Sequence, residues 1–293
     1  MSRAREHLVR AVDGWRLSVL DLAPEGPARG LVIAGHAMMV DRRTLWRTDR
    51  PCLVAALRAA GLRVLVPDLR GHGKSGPLAH DGGDWSYDQL VEDTAVLLDL
   101  AEGLAPDLKI ATLGHSLFGH TTPAYLTRTH DPRIAAHVGL CCEVWVRDVE
   151  DRRLAWPLKR AFLELALLSA RLAGAVPTRR IGFGSADEAY SYFADFERCA
   201  RTGGWLAADG HDYLAGLSGL RLPALFVLSD ADRVTPPRTA IRLWSRMPSA
   251  EFWRLGRGAW AHLAPTHMAA VTDPASAPLW RAVAGWLVER LAG

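Results

Sequence analysis

The sequence predicts an α/β protein built on a mostly parallel, doubly wound sheet. Three observations point there. Short apolar, β-favouring runs alternate with helix-period segments, and those runs are apolar throughout instead of at every second residue. One of them also ends in a Gly-His-Ser turn that opens a helix.

Taken in order, the runs at 9–12 and 17–20 flank Asp13-Gly14, a pair suited to the positive φ angles of a tight hairpin, so the chain is expected to open with two antiparallel strands. Strands then follow at 31–34, 62–67, 109–113 and 134–142, separated by helices near 45–60, 87–100 and from 117 onward. After the sixth of these strands the alternation stops, and the next strand-like run is 222–228. The intervening helix expected over 157–174 carries Leu158, Phe162, Leu165, Leu168 and Leu172 as a stripe, widened by Leu163, Ala166 and Leu167, which predicts apolar cover on more than one side. A strand at 252–255 and a helix over 278–291 close the chain, giving a core of 1–144 plus 222–293 with residues 145–221 as an insertion.

Composition bounds the function. The 293 residues are 49% hydrophobic, enough for a substantial core. Thirty-five basic and 32 acidic residues are interspersed to a net charge of +3, so there is no basic stripe for nucleic acid. No apolar signal region follows the charged N-terminus, and Gly114, Gly119 and Pro123 interrupt the uncharged run 110–127. A cytoplasmic protein without a membrane span is therefore expected. Cys52, Cys141, Cys142 and Cys199 have neither CxxC nor Cys/His spacing and read as reduced thiols in the core. No metal or dissociable cofactor is implied.

The run 110–119, IATLGHSLFG, is a strand entering a sharp turn and a helix, the setting of a nucleophile elbow with Ser116 exposed at its tip. A second loop, VLVPDLRGHGKSG at 64–76, ends like a phosphate loop, but Asp68 stands where that loop needs its first glycine. Taken together, Asp68 to Ser75 and Gly114 to Leu117 resemble the α/β-hydrolase superfamily. The stretch 182–237 is similar to its serine-aminopeptidase-like and lysophospholipase-like members.

The resemblance implies the chain order nucleophile, acid, histidine, with the inserted segment as a helical cap after the sixth strand. It assigns Ser116, Asp232 in the loop after 224–228 (Asp230 being the alternative), and His262 in the loop after the last strand (His267 being the alternative). It also places the oxyanion donors at the backbone N–H groups of Leu117 and of Met38, the latter in the Gly-His-Ala-Met loop after 31–34. Phe118 departs from the pattern by standing where the family has a second glycine. The implied activity is hydrolysis of a small, largely apolar ester through an acyl-enzyme. The alternatives are acyl transfer or peptide cleavage on the same triad, and a weakly active or inactive relative that only binds small molecules. Dehalogenase and epoxide hydrolase chemistry is disfavoured, because those reactions need an aspartate at position 116.

Overall fold

A computed structural model describes residues 4–150, 152 and 154–292. Eight strands form one sheet in the order β1-β2-β4-β3-β5-β6-β7-β8. They are β1 (Arg5–Arg10), β2 (Arg16–Leu22), β3 (Leu31–Gly35), β4 (Arg63–Pro67), β5 (Ile110–His115), β6 (Ile134–Leu140), β7 (Ala224–Ser229) and β8 (Ala250–Leu255). β2 is antiparallel to both neighbours, and the other pairings are parallel. Consecutive residues of β3 show why its apolar run is unbroken: Leu31 and Ile33 join the core on one side of the sheet, Val32 and Ala34 the core on the other.

Helices α1 (Leu53–Ala59), α8 (Ala269–Thr272) and α9 (Ala277–Leu291) cover the side of Val32 and Ala34. The opposite side is covered by α2 (Tyr87–Leu104), α3 (Leu117–Thr129) and α7 (Pro237–Trp244). Between β6 and β7 run α4 (Ala155–Ala173), α5 (Tyr190–Thr202) and α6 (Tyr213–Gly216). Their buried residues, Leu163, Tyr192, Phe193 and Tyr213 among them, merge with the second of these cores, so the insertion has no separate core of its own.

Several boundaries differ from the sequence reading. The opening hairpin turns through 11–15 with only Gly14 at positive φ, because the Asp13 carboxylate and the Ala11 carbonyl take the turn's N–H groups and a two-residue turn is not needed. The first core helix starts at Leu53, behind Pro51, and not at 45. The Leu158, Phe162, Leu165, Leu168 and Leu172 stripe of α4 is exposed. The helix packs through Leu163, Leu167 and Ala170, the first two of which only widened the expected face. All four cysteines are buried and unbridged.

One charged cluster ties α4 down. Lys159 Nζ lies 3.3 Å from Glu143 and 3.1 Å from Glu150, Glu143 also accepts the Thr239 hydroxyl of α7, and both carboxylates are buried. Burial pushes the Glu143 carboxyl up to about 7, against the pull of Lys159 and Thr239. A carboxyl raised on folding is protonated in the folded chain while already ionised in the unfolded one. Its contribution to stability is therefore fully present below the unfolded value and is lost as pH rises toward about 7. Urea midpoints for the protein and for Glu143→Gln are expected to match most closely at the acid end of that window. The substituted protein should gain relative stability toward its alkaline end.

Candidate active site

The centre of the site is a close approach of strand and helix. A side chain on Gly114 would place its Cβ 2.1 Å from the Gly119 nitrogen and 2.2 Å from the Phe118 carbonyl carbon, so α3 can start where it does only over glycine. A Cβ on Gly119 would in turn lie 2.8 Å from that of Cys142. The chain crosses this gap with Ser116 at φ 52° and ψ −105°, a region that non-glycine residues occupy at a cost of about 1–3 kcal/mol. Backbone bonds hold it there: Ser116 N–H donates to Leu140 O at 3.0 Å, and Gly119 N–H to Ser116 O at 3.0 Å. Ser116 is left half-exposed at the N-terminus of α3, whose first N–H groups have no intrahelical acceptor.

Phe118 does not crowd this turn. Its side chain is buried in the core and lies over Gly35 at the end of β3, where a Cβ would come within 2.1 Å of the ring. The room that the family provides by a glycine after the serine is provided here by Gly35 on the neighbouring strand. Phe118 N–H also reaches His36 O at 3.4 Å, joining the elbow to the loop that carries Met38.

That loop is held from two sides. His36, buried and held at about 3 chiefly by burial, donates Nδ1–H to Ala37 O at 2.7 Å and accepts Leu69 N–H on Nε2 at 2.9 Å. Met39, at φ 63°, donates its N–H to the Glu188 carboxylate at 2.5 Å and accepts Ser185 and Ala186 N–H on its carbonyl at 2.8 and 3.0 Å. Glu188 is fully buried and pairs with His72 Nε2 at 3.0 Å. Burial lowers His72, but the Glu188 charge and hydrogen bond outweigh it and raise its affinity for a proton. The Asp68 to Ser75 motif is the frame behind this pair. The Asp68 carboxylate accepts Arg42 and Lys74 N–H, and Gly73, at positive φ, lies so close to it that any side chain there would strike it.

The acid and the histidine come from the loops after β7 and β8. Asp232 accepts Val234 N–H at 2.8 Å, Thr235 N–H at 3.1 Å, the Thr235 hydroxyl at 2.5 Å and His267 Nδ1–H at 2.8 Å. Burial alone would raise its carboxyl, yet His267 and Thr235 bring it below the ordinary aspartate value. Asp230 instead points to the rim and pairs with Arg254 and Arg257, each at 2.6 Å.

The partner of Asp232 is therefore His267 and not His262. His262 is exposed and stacks on Trp260 with ring centroids 6.2 Å apart. Pro265 does not introduce a helix. Its carbonyl accepts the Ser229 hydroxyl at 2.6 Å, which pins the loop to the end of β7, and α8 begins only at Ala269. The His267 carbonyl in turn accepts from Nε2 of His115, the residue before the serine, at 3.0 Å. With Nδ1 facing Asp232, Nε2 is the ring nitrogen of His267 that the carboxylate leaves unengaged. His115 is kept neutral, at about 3, by burial and by the neighbouring His267.

Tyr87, Val144, Trp145, Phe196, Trp205 and Leu206 line a narrow cleft. Tyr87 Oη lies 2.9 Å from Nδ1 of His120, one helical turn beyond Ser116 on the same face of α3.

The model of the family described as serine aminopeptidase, S33, matches residues 26–254, most of the chain. The chain belongs to the S33 serine aminopeptidase family of α/β-hydrolases. A monoacylglycerol lipase of Mycolicibacterium smegmatis is 32% identical over 127 residues, which is 43% of this chain and 43% of that protein, so the match spans less than half the relative's length. Two solved esterases share the fold over nearly all of both chains. The one from Thermogutta terrifontis has a TM-score of 0.64 at 18% identity, covering 99% of this chain and 100% of its own. The one from Exiguobacterium antarcticum has a TM-score of 0.67 at 14% identity, covering 97% and 100%. Within this S33 family member, among the described residues, no helix is long and apolar enough to cross a membrane.

The Gly35 and Phe118 pair can be tested through stability. Gly35→Ala is expected to lower it by about 1–3 kcal/mol through overpacking, and Phe118→Ala by about 3–5 kcal/mol through the cavity it leaves. Urea midpoints of the double variant should show a smaller loss than the sum, because the new methyl group occupies part of the vacated ring volume.

Proposed function

We propose that the protein hydrolyses a small, largely apolar ester, with Ser116 as nucleophile, His267 as its base and Asp232 as the acid that orients the imidazole. The observation that carries this reading is the hydrogen bond from His267 Nδ1 to the buried Asp232 carboxylate, in a chain that also holds Ser116 on a strained strand-to-helix turn. His267 would take the hydroxyl proton as Oγ attacks the carbonyl carbon, then return it to the leaving alcohol. Water would release the acyl group by the same two proton transfers in reverse order. The N–H groups of Leu117 and Met38 are the donors for the oxyanion, each of a kind worth about 3 kcal/mol in the transition state. Residues 145–221 would act as a cap, since Glu188 reaches from it to the loop bearing Met38.

The apolar lining of the cleft favours an ester over a peptide with a charged amino terminus. Its single acid, Asp195, is already engaged by Tyr87 N–H at 2.9 Å and Arg198 at 3.0 Å. The monoacylglycerol lipase relative agrees with an ester substrate. The placement of Phe118 against Gly35 removes the steric ground for an inactive binding protein.

Fluorophosphonate labelling with mass spectrometry is expected to modify Ser116 alone, and Ser116→Ala to lose both label and turnover of p-nitrophenyl esters. His267→Ala should lower kcat by several orders of magnitude, whereas His262→Ala should leave it within a few-fold of the parent. Loss on His262→Ala with activity retained in His267→Ala would reverse the assignment of the base.

A further inference from the structure

We propose that Glu188, a side chain of the insertion, is a positioning residue for the oxyanion donor at Met38. The inference rests on the reading of Ser116 given above, since it concerns an N–H group that would face the oxygen of the attacked carbonyl. Both planes that flank Met38 are pinned. The Ala37 carbonyl and the Met38 N–H share one trans peptide and point in opposite directions, and His36 Nδ1–H holds that carbonyl at 2.7 Å. The next peptide is held by Glu188, whose Oε1 accepts Met39 N–H at 2.5 Å. The Met38 N–H between them is left over: no described residue accepts it, and Met38 is only half-buried.

The bonds of His72 explain why a carboxylate can do this in the core. His72 Nδ1 lies 2.8 Å from the Arg70 carbonyl, which can only accept, so Nδ1 carries a hydrogen. Nε2 lies 3.0 Å from Oε1 of Glu188, so one further proton lies between ring and carboxylate. The His72 and Glu188 unit is therefore neutral as a whole, although both side chains are fully buried. His36, whose ring centroid is 5.2 Å from that of His72, has an acceptor at one nitrogen and a donor at the other and needs no extra proton. One oxygen, Oε1, serves both Met39 and His72, while Oε2 is buried without a partner. An amide at 188 cannot copy this. With its oxygen at that point it leaves either an uncompensated imidazolium or two facing acceptors, and with its NH2 there the Met39 N–H faces a donor.

The test compares kcat and KM for p-nitrophenyl butyrate, per site titrated to completion with a fluorophosphonate, with the Ki of a trifluoromethyl ketone carrying the same acyl chain. The isosteric Glu188→Gln is expected to lower kcat by about ten- to a hundredfold with KM held within about threefold. The ketone forms the tetrahedral adduct, so its Ki should rise by the factor by which kcat/KM falls. A residue that only tied the insertion down would move the urea midpoint and leave kcat per titrated site and Ki where they were. Gly184→Ala approaches the same peptide from outside the core, because its Cβ would strike the Met39 carbonyl, and should give the same pattern more weakly. Parent kcat in a folded Glu188→Gln, or in Gly184→Ala should Glu188→Gln not fold, would overturn the proposal. So would a rise in KM alone with kcat and Ki unchanged, which would give Glu188 a part in shaping the substrate pocket instead. Ser116→Ala separates the two readings: turnover retained there removes the proposed chemistry and this inference with it. Ser116 labelled and essential, with parent kcat in Glu188→Gln, removes this inference alone.

Discussion

The distance between the end of β5 and the start of α3 sets the terms for everything near Ser116. Because a Cβ at Gly114 would collide with the backbone of Phe118 and Gly119, helix and strand lie closer than any other residue at 114 permits. The connecting residue is then forced to positive φ, which lifts Ser116 out of the sheet at the mouth of the new helix. The same closeness propagates outward. Gly119 must stay small against Cys142, and Phe118, unable to point into the gap, is accommodated only because β3 ends in Gly35. A family position normally kept small can thus hold a large aromatic when the small residue moves to the strand that faces it.

Electrostatics around the elbow follow from burial more than from formal charge. His36, His115 and His120 are all held at about 3, burial being the first cause in each, so all three remain neutral beside His267, the proposed base. Two of them have visible scaffolding roles, His36 in bridging to Leu69 and His115 in bonding the His267 carbonyl. His72 is the exception among the buried imidazoles beside the site, since its neighbour is the carboxylate of Glu188. A charged pair at that depth costs desolvation, and the Met39 N–H shares in satisfying the carboxylate. The position of the loop bearing Met38 therefore depends on a side chain that the sequence supplies about 150 residues later.

The sheet and the elbow were legible because they are written in short-range signals: unbroken apolar runs, a hairpin pair, and glycines around a serine. The base was not. His262 and His267 stand in one loop, and choosing between them required knowing that Pro265 is bonded to Ser229 and that α8 does not begin until Ala269. The exposure of α4 was also hidden. Periodicity locates two apolar faces of a helix, but which one is buried depends on the neighbour, here α5 and the core beneath it. Glu188 carries no local signal at all. It is one acid among 32, and only its burial against Met39 and His72 sets it apart.

These features meet in one short stretch of the insertion. Phe183 is exposed on the outside, and Gly184 sits where a Cβ would come 2.3 Å from the Met39 carbonyl. Ser185 and Ala186 donate to that same carbonyl, and Glu188 accepts the Met39 N–H. Six residues therefore run from a solvent-facing aromatic to the backbone that precedes β4 and flanks the elbow. Met39 is bonded through both its N–H and its C=O to this stretch, so its positive φ is maintained by the insertion and not by β3. A displacement of the insertion would release both bonds together and pull Glu188 away from His72, breaking a buried pair. That is an unfavourable state, which argues that the insertion and the loop bearing Met38 move as one unit or not at all.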